Sequence, residues 1–310
     1  MRITFVGNHS VSYSSENHHV ESLRQLGHEV VTMQEGQATG EEILAKGTVS
    51  DLLVVVHTHG WETPGLPLAE VLQMLKGVTK TMTYHLDLWL GLERQKDLDN
   101  DPFYKLIDHF FATDKLMADW FNDNTAVKGH YIPAGVYHRE CFSFNIPKIR
   151  DIIFTGSKGY HPEWPWRPQL INWLHDTYGT GFKHYGNDGI QVVRGLALNE
   201  LYASTKITIG DTLCINYDYP DYFSDRLFEA TGRGAFVIFP YIKGIENYFK
   251  LGEEIITFRF GDFEDLKTKI DYYLEHDEER EKIRKAGFER TKKDHTYIKR
   301  WEEILNTIND

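Results

Sequence analysis

Asp221 and Glu229 bracket the seven residues Tyr222-Phe223-Ser224-Asp225-Arg226-Leu227-Phe228, a spacing that can serve a ligand rich in hydroxyls and negative charge. Ser224 reads as an N-cap, the residues after it as a short helix ending at Gly232 and Gly234, and Ala235 to Phe239 as a buried strand. Free N–H groups at the start of such a helix suit a diphosphate, and a carboxylate suits the hydroxyls of a sugar or ribose. A second candidate is Phe154-Thr155-Gly156-Ser157-Lys158-Gly159, a strand running into a glycine-containing loop. Gly156 lets the backbone approach a phosphate, and Lys158 or Arg167 supplies countercharge. Third come two runs that reach histidine at strand ends, Asp51 to His59 and Thr81 to Trp89, the latter holding His85 with Asp87 two residues on. Each also has a plainer reading: a helix carboxylate in solvent, an ordinary turn, a structural histidine. The aromatics Tyr160, Trp164, Trp166 and Trp173 could stack a base or a sugar, and core packing is the favoured reading.

These residues need elements to hold them. The N-terminal half alternates short apolar runs with amphipathic stretches: Ile3 to Val6, a polar helical segment to Leu26, Glu29 to Met33, Leu52 to His57, Lys80 to Tyr84 and His109 to Ala112, with helices at Leu66 to Lys76 and Pro102 to Ile107. The rhythm pauses between Tyr131 and Pro147 and resumes with a strand at Asp151 to Thr155. Strands follow near Phe182 to Tyr185, Ile207 to Gly210, Ala235 to Phe239 and Glu254 to Phe258, separated by helices at Pro168 to Tyr178, Leu198 to Ser204 and Ser224 to Gly232. The tail, Phe263 to Leu274, Glu278 to Thr291 and Tyr297 to Ile308, is helical throughout. The reading is therefore α/β with two Rossmann-like domains, divided at 147/148. Open parallel sheets take ligands at the carboxyl ends of their strands, so the loops after strands are where chemistry is expected.

Composition narrows the possible partners. The chain has 310 residues, 41% hydrophobic and 26% charged, which is globular and suits two domains. A net charge of −12 argues against a scaffold that binds nucleic acid through counterion release, leaving DNA as a possible acceptor and not an expected partner. The first residues are too short an apolar run for a signal peptide, and no window approaches a membrane span. With only Cys141 and Cys214, neither a disulfide framework nor a cysteine-rich zinc site is implied, and cytoplasmic residence is expected. Asp218-Tyr219-Pro220-Asp221 is not an Asp-x-Asp metal motif, and the histidines lack zinc spacing, so neither metal nor cofactor is expected.

The Asp221 to Glu229 segment resembles the acidic motif of the group-1 (family 4) GT-B glycosyltransferases, in which two acids flank seven residues and the second begins a Glu-Ala pair. Ser224-x-Arg226-Leu227-Phe228-Glu229-Ala230, Gly234-Ala235, and His295-Thr296-Tyr297 with Arg300 are similar to the CgeB-like branch; Asp221 departs from the usual Glu. The resemblance implies a GT-B fold, two domains facing a central cleft, with the C-terminal helix 295–310 crossing back to the N-terminal domain 1–147. It implies that domain 148–294 binds a nucleotide-diphosphate sugar. Glu229 would bind the ribose. Asp221, with groups from Phe223 through Ser224 and Arg226, would hold the sugar and diphosphate, and a basic residue such as Lys158 or Arg167 would follow the first strand of that domain. Gly7 resembles the N-domain glycine loop near the phosphates, and His85 the histidine that approaches the donor sugar. The family is associated with metal-independent transfer that retains anomeric configuration; in an inverting enzyme Asp87 would be the nearest general base. An epimerase or hydrolase of the same fold, or a binding protein that has lost transfer, are the alternatives. The acceptor is left open among glycans, proteins, metabolites and modified DNA bases.

Overall fold

The computed structural model describes residues 1–58, 60–159 and 163–309, and it divides into two compact units, Met1–Pro133 with Tyr297–Asp310, and Ala134–Thr296. The first unit runs β1 (Arg2–Gly7), α1 (Ser15–Gln25), β2 (Glu29–Gln34), α2 (Gly40–Gly47), β3 (Leu52–Val55), α3 (Leu68–Leu75), β4 (Lys80–His85), α4 (Gln95–Asn100), α5 (Phe103–Leu106), β5 (His109–Ala112), α6 (Lys115–Asn124) and β6 (Lys128–Tyr131). All six strands are parallel, in the order β2-β1-β3-β4-β5-β6. The central strands are apolar nearly throughout because helices cover both sheet faces; Leu52 to Val55 are all fully buried. Local signals set the helix starts: Ser14 caps α1, Asp114 caps α6, and Thr39 with Glu42 closes a capping box on α2.

The helix α12 (Tyr297–Asn309) belongs to this first unit. Its Trp301, Ile304, Leu305 and Ile308 share a core cluster with Ile3 and Phe5 of β1 and Val20 and Leu23 of α1. Trp301 Nε1 donates to His19 Nδ1 at 3.1 Å. Burial, reinforced by neighbouring His18, lowers the His19 pKa to about 3, so its ring stays neutral and Nδ1 can accept. Trp301 is fully buried. Trp301→Ala is expected to destabilise the protein by about 3–5 kcal/mol, read from denaturant unfolding. A loss under about 1 kcal/mol would show that α12 adds little to this core.

The second unit runs β7 (Arg150–Thr155), α7 (Trp166–Tyr178), β8 (Phe182–Tyr185), α8 (Leu196–Ala203), β9 (Thr205–Ile209), α9 (Arg226–Gly232), β10 (Val237–Pro240), β11 (Ile256–Phe258), α10 (Phe263–Glu275) and α11 (Asp277–Asp294). Its five strands are parallel, in the order β11-β10-β9-β7-β8. The division falls after Pro133, not at 147/148. Residues 134–147 pack with the second unit for identifiable reasons. Asn199 Nδ2 donates to the carbonyls of Glu140 and Phe142, both at 2.7 Å, Arg233 pairs with Glu140, and the Val136 amide donates to the His295 carbonyl at 3.0 Å.

Two further expectations change in detail. Strand β6, Lys-Gly-His-Tyr, carries no apolar run and was not predicted; it adds to the sheet edge beside β5. Strand β3 ends at Val55, two residues short of His57.

Candidate functional site

In each sheet the strand order reverses at one place: between β1 and β3 in the first unit, and between β7 and β9 in the second. The carboxyl ends there are where open parallel sheets take ligands. In the second unit, β7 delivers Thr155 and Gly156 to this edge, and Gly156 adopts φ +137°, a conformation open to glycine. A Cβ at Gly156 would lie 3.9 Å from an Arg226 guanidinium nitrogen, so the arginine of α9 lies beside the end of β7. Arg226 also faces Glu229, with Nη1 3.8 Å from Oε2. Burial works against the arginine's charge, but Glu229, Tyr202 and Asp225 outweigh it and raise its pKa further, leaving a permanent cation. The Tyr202 hydroxyl, pushed up by burial, bonds Thr155 Oγ1 at 2.7 Å and ties α8 to the same strand end. Arg226 and Glu229 side chains keep 22% and 24% exposure, enough to meet a ligand.

Asp221 sits in a loop of unusual backbone. Asn216, Tyr217 and Asp221 all have positive φ, at 55°, 59° and 53°. Three non-glycine residues in that region within one loop concentrate strain, a pattern found at ligand clamps. The Asp221 amide donates to the Lys243 carbonyl at 3.0 Å, and its carboxylate presses on Gly244, where a Cβ would stand 2.0 Å from Oδ1. Gly244 therefore has to be glycine for the Asp221 carboxylate to hold its place.

Several expected contacts are placed otherwise. Ser224 does not cap α9: the helix starts at Arg226 without a side-chain cap, while Ser224 Oγ donates to the Asp211 carbonyl at 2.9 Å and its amide donates to Thr212 Oγ1 at 3.0 Å. Phe223 is 1% exposed, its ring edge-on to Tyr248 in the core, which leaves only its backbone for a ligand. The charge of Arg167 is paired already, with Nε 2.7 Å from Asp211 Oδ2 and Nη1 reaching the Ser157 carbonyl at 3.3 Å. Burial raises the Asp211 pKa against the pull of Arg167 and of Trp164, whose indole N–H also bonds it. Lys158 directs its ammonium to Asn172 Oδ1 at 2.5 Å. The amides of Lys158 and Gly159 donate to the Asp188 carboxylate at 2.8–3.1 Å, so the loop's anion nest holds an internal carboxylate. Trp164 and Trp166 are buried and Trp173 stacks on Phe263, in line with packing; Tyr160 lies outside the described residues.

Sequence reasoning missed Tyr202, Asp211 and the loop after β8. A small hollow lies against Gly156, lined by Tyr185, Gly186, Asn187 and Val192 to Arg194. The run of Gly186, Gly189 and Gly195 after a short strand was its signal in the sequence.

In the first unit, His85 closes β4 and is 1% exposed. Its Nδ1–H donates to the Asp87 carbonyl at 3.0 Å, and its ring packs on Trp89 and Phe110. The Asp87 carboxylate stands 3.9 Å from Arg94 and keeps 25% exposure. Gly7 ends β1, where a Cβ would strike Glu16 of α1 at 2.8 Å, so its smallness serves the strand–helix contact. His59 lies outside the described residues. Among the described residues no group of three or more His, Cys, Asp or Glu could hold a metal, and no helix is long and apolar enough to cross a membrane.

Two Rossmann-like units, the last helix of the chain belonging to the first of them, define a GT-B glycosyltransferase fold. Comparison with solved structures agrees. An α-glucosyltransferase in complex with UDP and DNA superposes with a TM-score of 0.71 at 13% identity, covering 100% of this chain and 99% of that one. HepE of Anabaena in complex with UDP-glucose gives 0.69 at 12%, covering 100% and 99%. Sucrose-phosphate synthase of Thermosynechococcus elongatus gives 0.65 at 11%, covering 99% of both chains. Residues 163–306, most of the second unit, match the family described as glycosyl transferase-like. The chain shares the GT-B fold of these glycosyltransferases, and the family match lies in the half that carries Arg226 and Glu229. No curated protein matches it by sequence.

Proposed function

We propose that the protein transfers a sugar from a UDP-sugar to an acceptor hydroxyl, without a metal and with retention of anomeric configuration, in the cytoplasm. The observation that carries the donor reading is the grouping of Arg226, Glu229 and Gly156 at the strand-order switch of the second unit. A departing nucleoside diphosphate gains negative charge, and a fixed guanidinium beside a backbone without Cβ stabilises it there. Glu229, half-buried and acceptor-only, suits the vicinal hydroxyls of ribose. Asp221, held against Gly244, suits a sugar hydroxyl. Arg167 and Lys158 are engaged by Asp211 and Asn172, so the diphosphate's countercharge rests on Arg226. UDP is favoured because the similar α-glucosyltransferase and HepE were seen with UDP or UDP-glucose. Both cysteines are buried and free, which suits a reducing compartment.

Calorimetry with UDP, GDP, ADP, CDP and dTDP and their glucose conjugates tests this. UDP and UDP-glucose are expected to bind most tightly. Binding of none of the ten would sink the donor assignment.

A further inference from the structure

Arg233 is a buried cation of the second unit that the donor reading does not use. It follows α9 directly, is 3% exposed, and its amide donates to the Glu229 carbonyl at 3.0 Å. From there the guanidinium reaches two segments far away in sequence. Nη2 pairs with Glu140, while Nη1 donates to the Gly195 carbonyl at 3.0 Å and to Asn199 Oδ1. Nε is buried and has no hydrogen-bond partner among the described residues. Burial raises the Glu140 pKa against the pull of Arg233, and the charge of Glu229 adds to the rise.

Stapling residues 134–147 to this unit needs only the pair with Glu140, and Asn199 already holds that segment through the carbonyls of Glu140 and Phe142. The bond to Gly195 serves another end. Gly195 closes the stretch 192–194 that walls the hollow against Gly156, and it adopts φ +58° and ψ −141°, where any side chain is strained. Leaving a buried Nε unpaired costs stability, so the guanidinium is placed for its fork, one arm on Glu140 and the other on the end of this wall.

We infer that Arg233 is a positioning residue for the donor, locking the wall formed by residues 192–195 to the turn of α9 that presents Glu229. This rests on the donor reading proposed above. Ribose at Glu229 and diphosphate at Gly156 and Arg226 put the nucleoside end of the donor beside that wall. A wall held by a buried charged donor is set before the ligand arrives, so binding loses less freedom in ordering the loop.

The test compares the parent chain with Arg233→Met, Arg233→Lys and Gly195→Ala in three measurements: thermal melting, calorimetry with UDP, and amide hydrogen exchange at residues 192–196. Arg233→Met is expected to lower the melting temperature and to weaken UDP binding by about tenfold. Lysine keeps a positive charge for Glu140 but lacks the planar fork that spans Glu140 and Gly195 together. Arg233→Lys should therefore restore most of the melting temperature without restoring UDP affinity. Gly195→Ala finds open space for its methyl group but strains the backbone, and should weaken UDP by about tenfold with the Glu140 pair intact. Exchange at residues 192–196 should be faster in all three variants. UDP affinity within about threefold of the parent in either Arg233→Lys or Gly195→Ala, or affinity that recovers in step with the melting temperature, overturns the proposal. A parent that binds no UDP overturns the donor reading instead, and exchange still decides the role of Arg233, since unchanged protection in Arg233→Lys would show that it does not hold the wall.

Discussion

Glu229→Ala is expected to weaken UDP binding by about 10- to 100-fold while moving the melting temperature by no more than a few degrees. Hydrogen bonds to a charged group contribute about 1.5–3 kcal/mol, and each 1.4 kcal/mol is a factor of ten in affinity. The stability cost is small because Glu229 faces Arg226 at 3.8 Å with both side chains partly exposed, and such pairs contribute about 0–1 kcal/mol. Asp221→Asn is the informative companion, since asparagine tolerates the left-handed backbone that alanine would strain. It should leave UDP affinity unchanged and weaken UDP-glucose relative to UDP, because Asp221 is assigned to the sugar. Calorimetry on the two variants separates the roles. Unchanged UDP affinity in Glu229→Ala would remove ribose binding from this residue.

The second large effect belongs to Arg226. Arg226→Ala should lower the rate of UDP release from UDP-glucose at saturating donor by about 10²- to 10³-fold, the usual cost of losing one donor to a developing negative charge. Arg226→Lys should recover part of it, since an ammonium restores charge without the planar fork. Tyr202 is a partner of Arg226 as well as of Thr155, so melting curves of both variants check that the strand end keeps its structure. A rate within about threefold of the parent in Arg226→Ala would shift the diphosphate elsewhere, with Arg167 next in line if its pairing to Asp211 opens.

What could be read in the sequence followed a physical pattern. Runs such as Leu52 to Val55 and Ile152 to Phe154 identified themselves because strands buried on both faces are apolar throughout. The tail was legible as helices because a 3.6-residue period persists without strand signals. Arg226 and Glu229 were picked out by their motif, and their closeness follows from a spacing of three on one helix. Other assignments turned on partners distant in sequence. Lys158 finds Asp188 thirty residues on, and Arg167 finds Asp211 forty-four residues on. Nothing local announced either pairing. Ser224 carried a proper N-cap signature, but a tertiary bond to the Asp211 carbonyl claimed its hydroxyl. The boundary near residue 147 failed similarly, since Asn199 and Arg233, far along the chain, draw residues 134–147 into the second unit.

The position of α12 has a consequence for how the chain is made. The first unit takes its core from residues at both ends of the sequence, Ile3 and Phe5 at one and Trp301, Ile304 and Ile308 at the other. The second unit is one uninterrupted stretch, Ala134–Thr296. During synthesis the strands β1 to β6 emerge first but wait, without the helix that completes their packing, until α12 has been made. Domains generally finish in the order they are synthesised. Here the order is reversed: the later-made unit can close first, and α12 completes the earlier one only after it has itself been made.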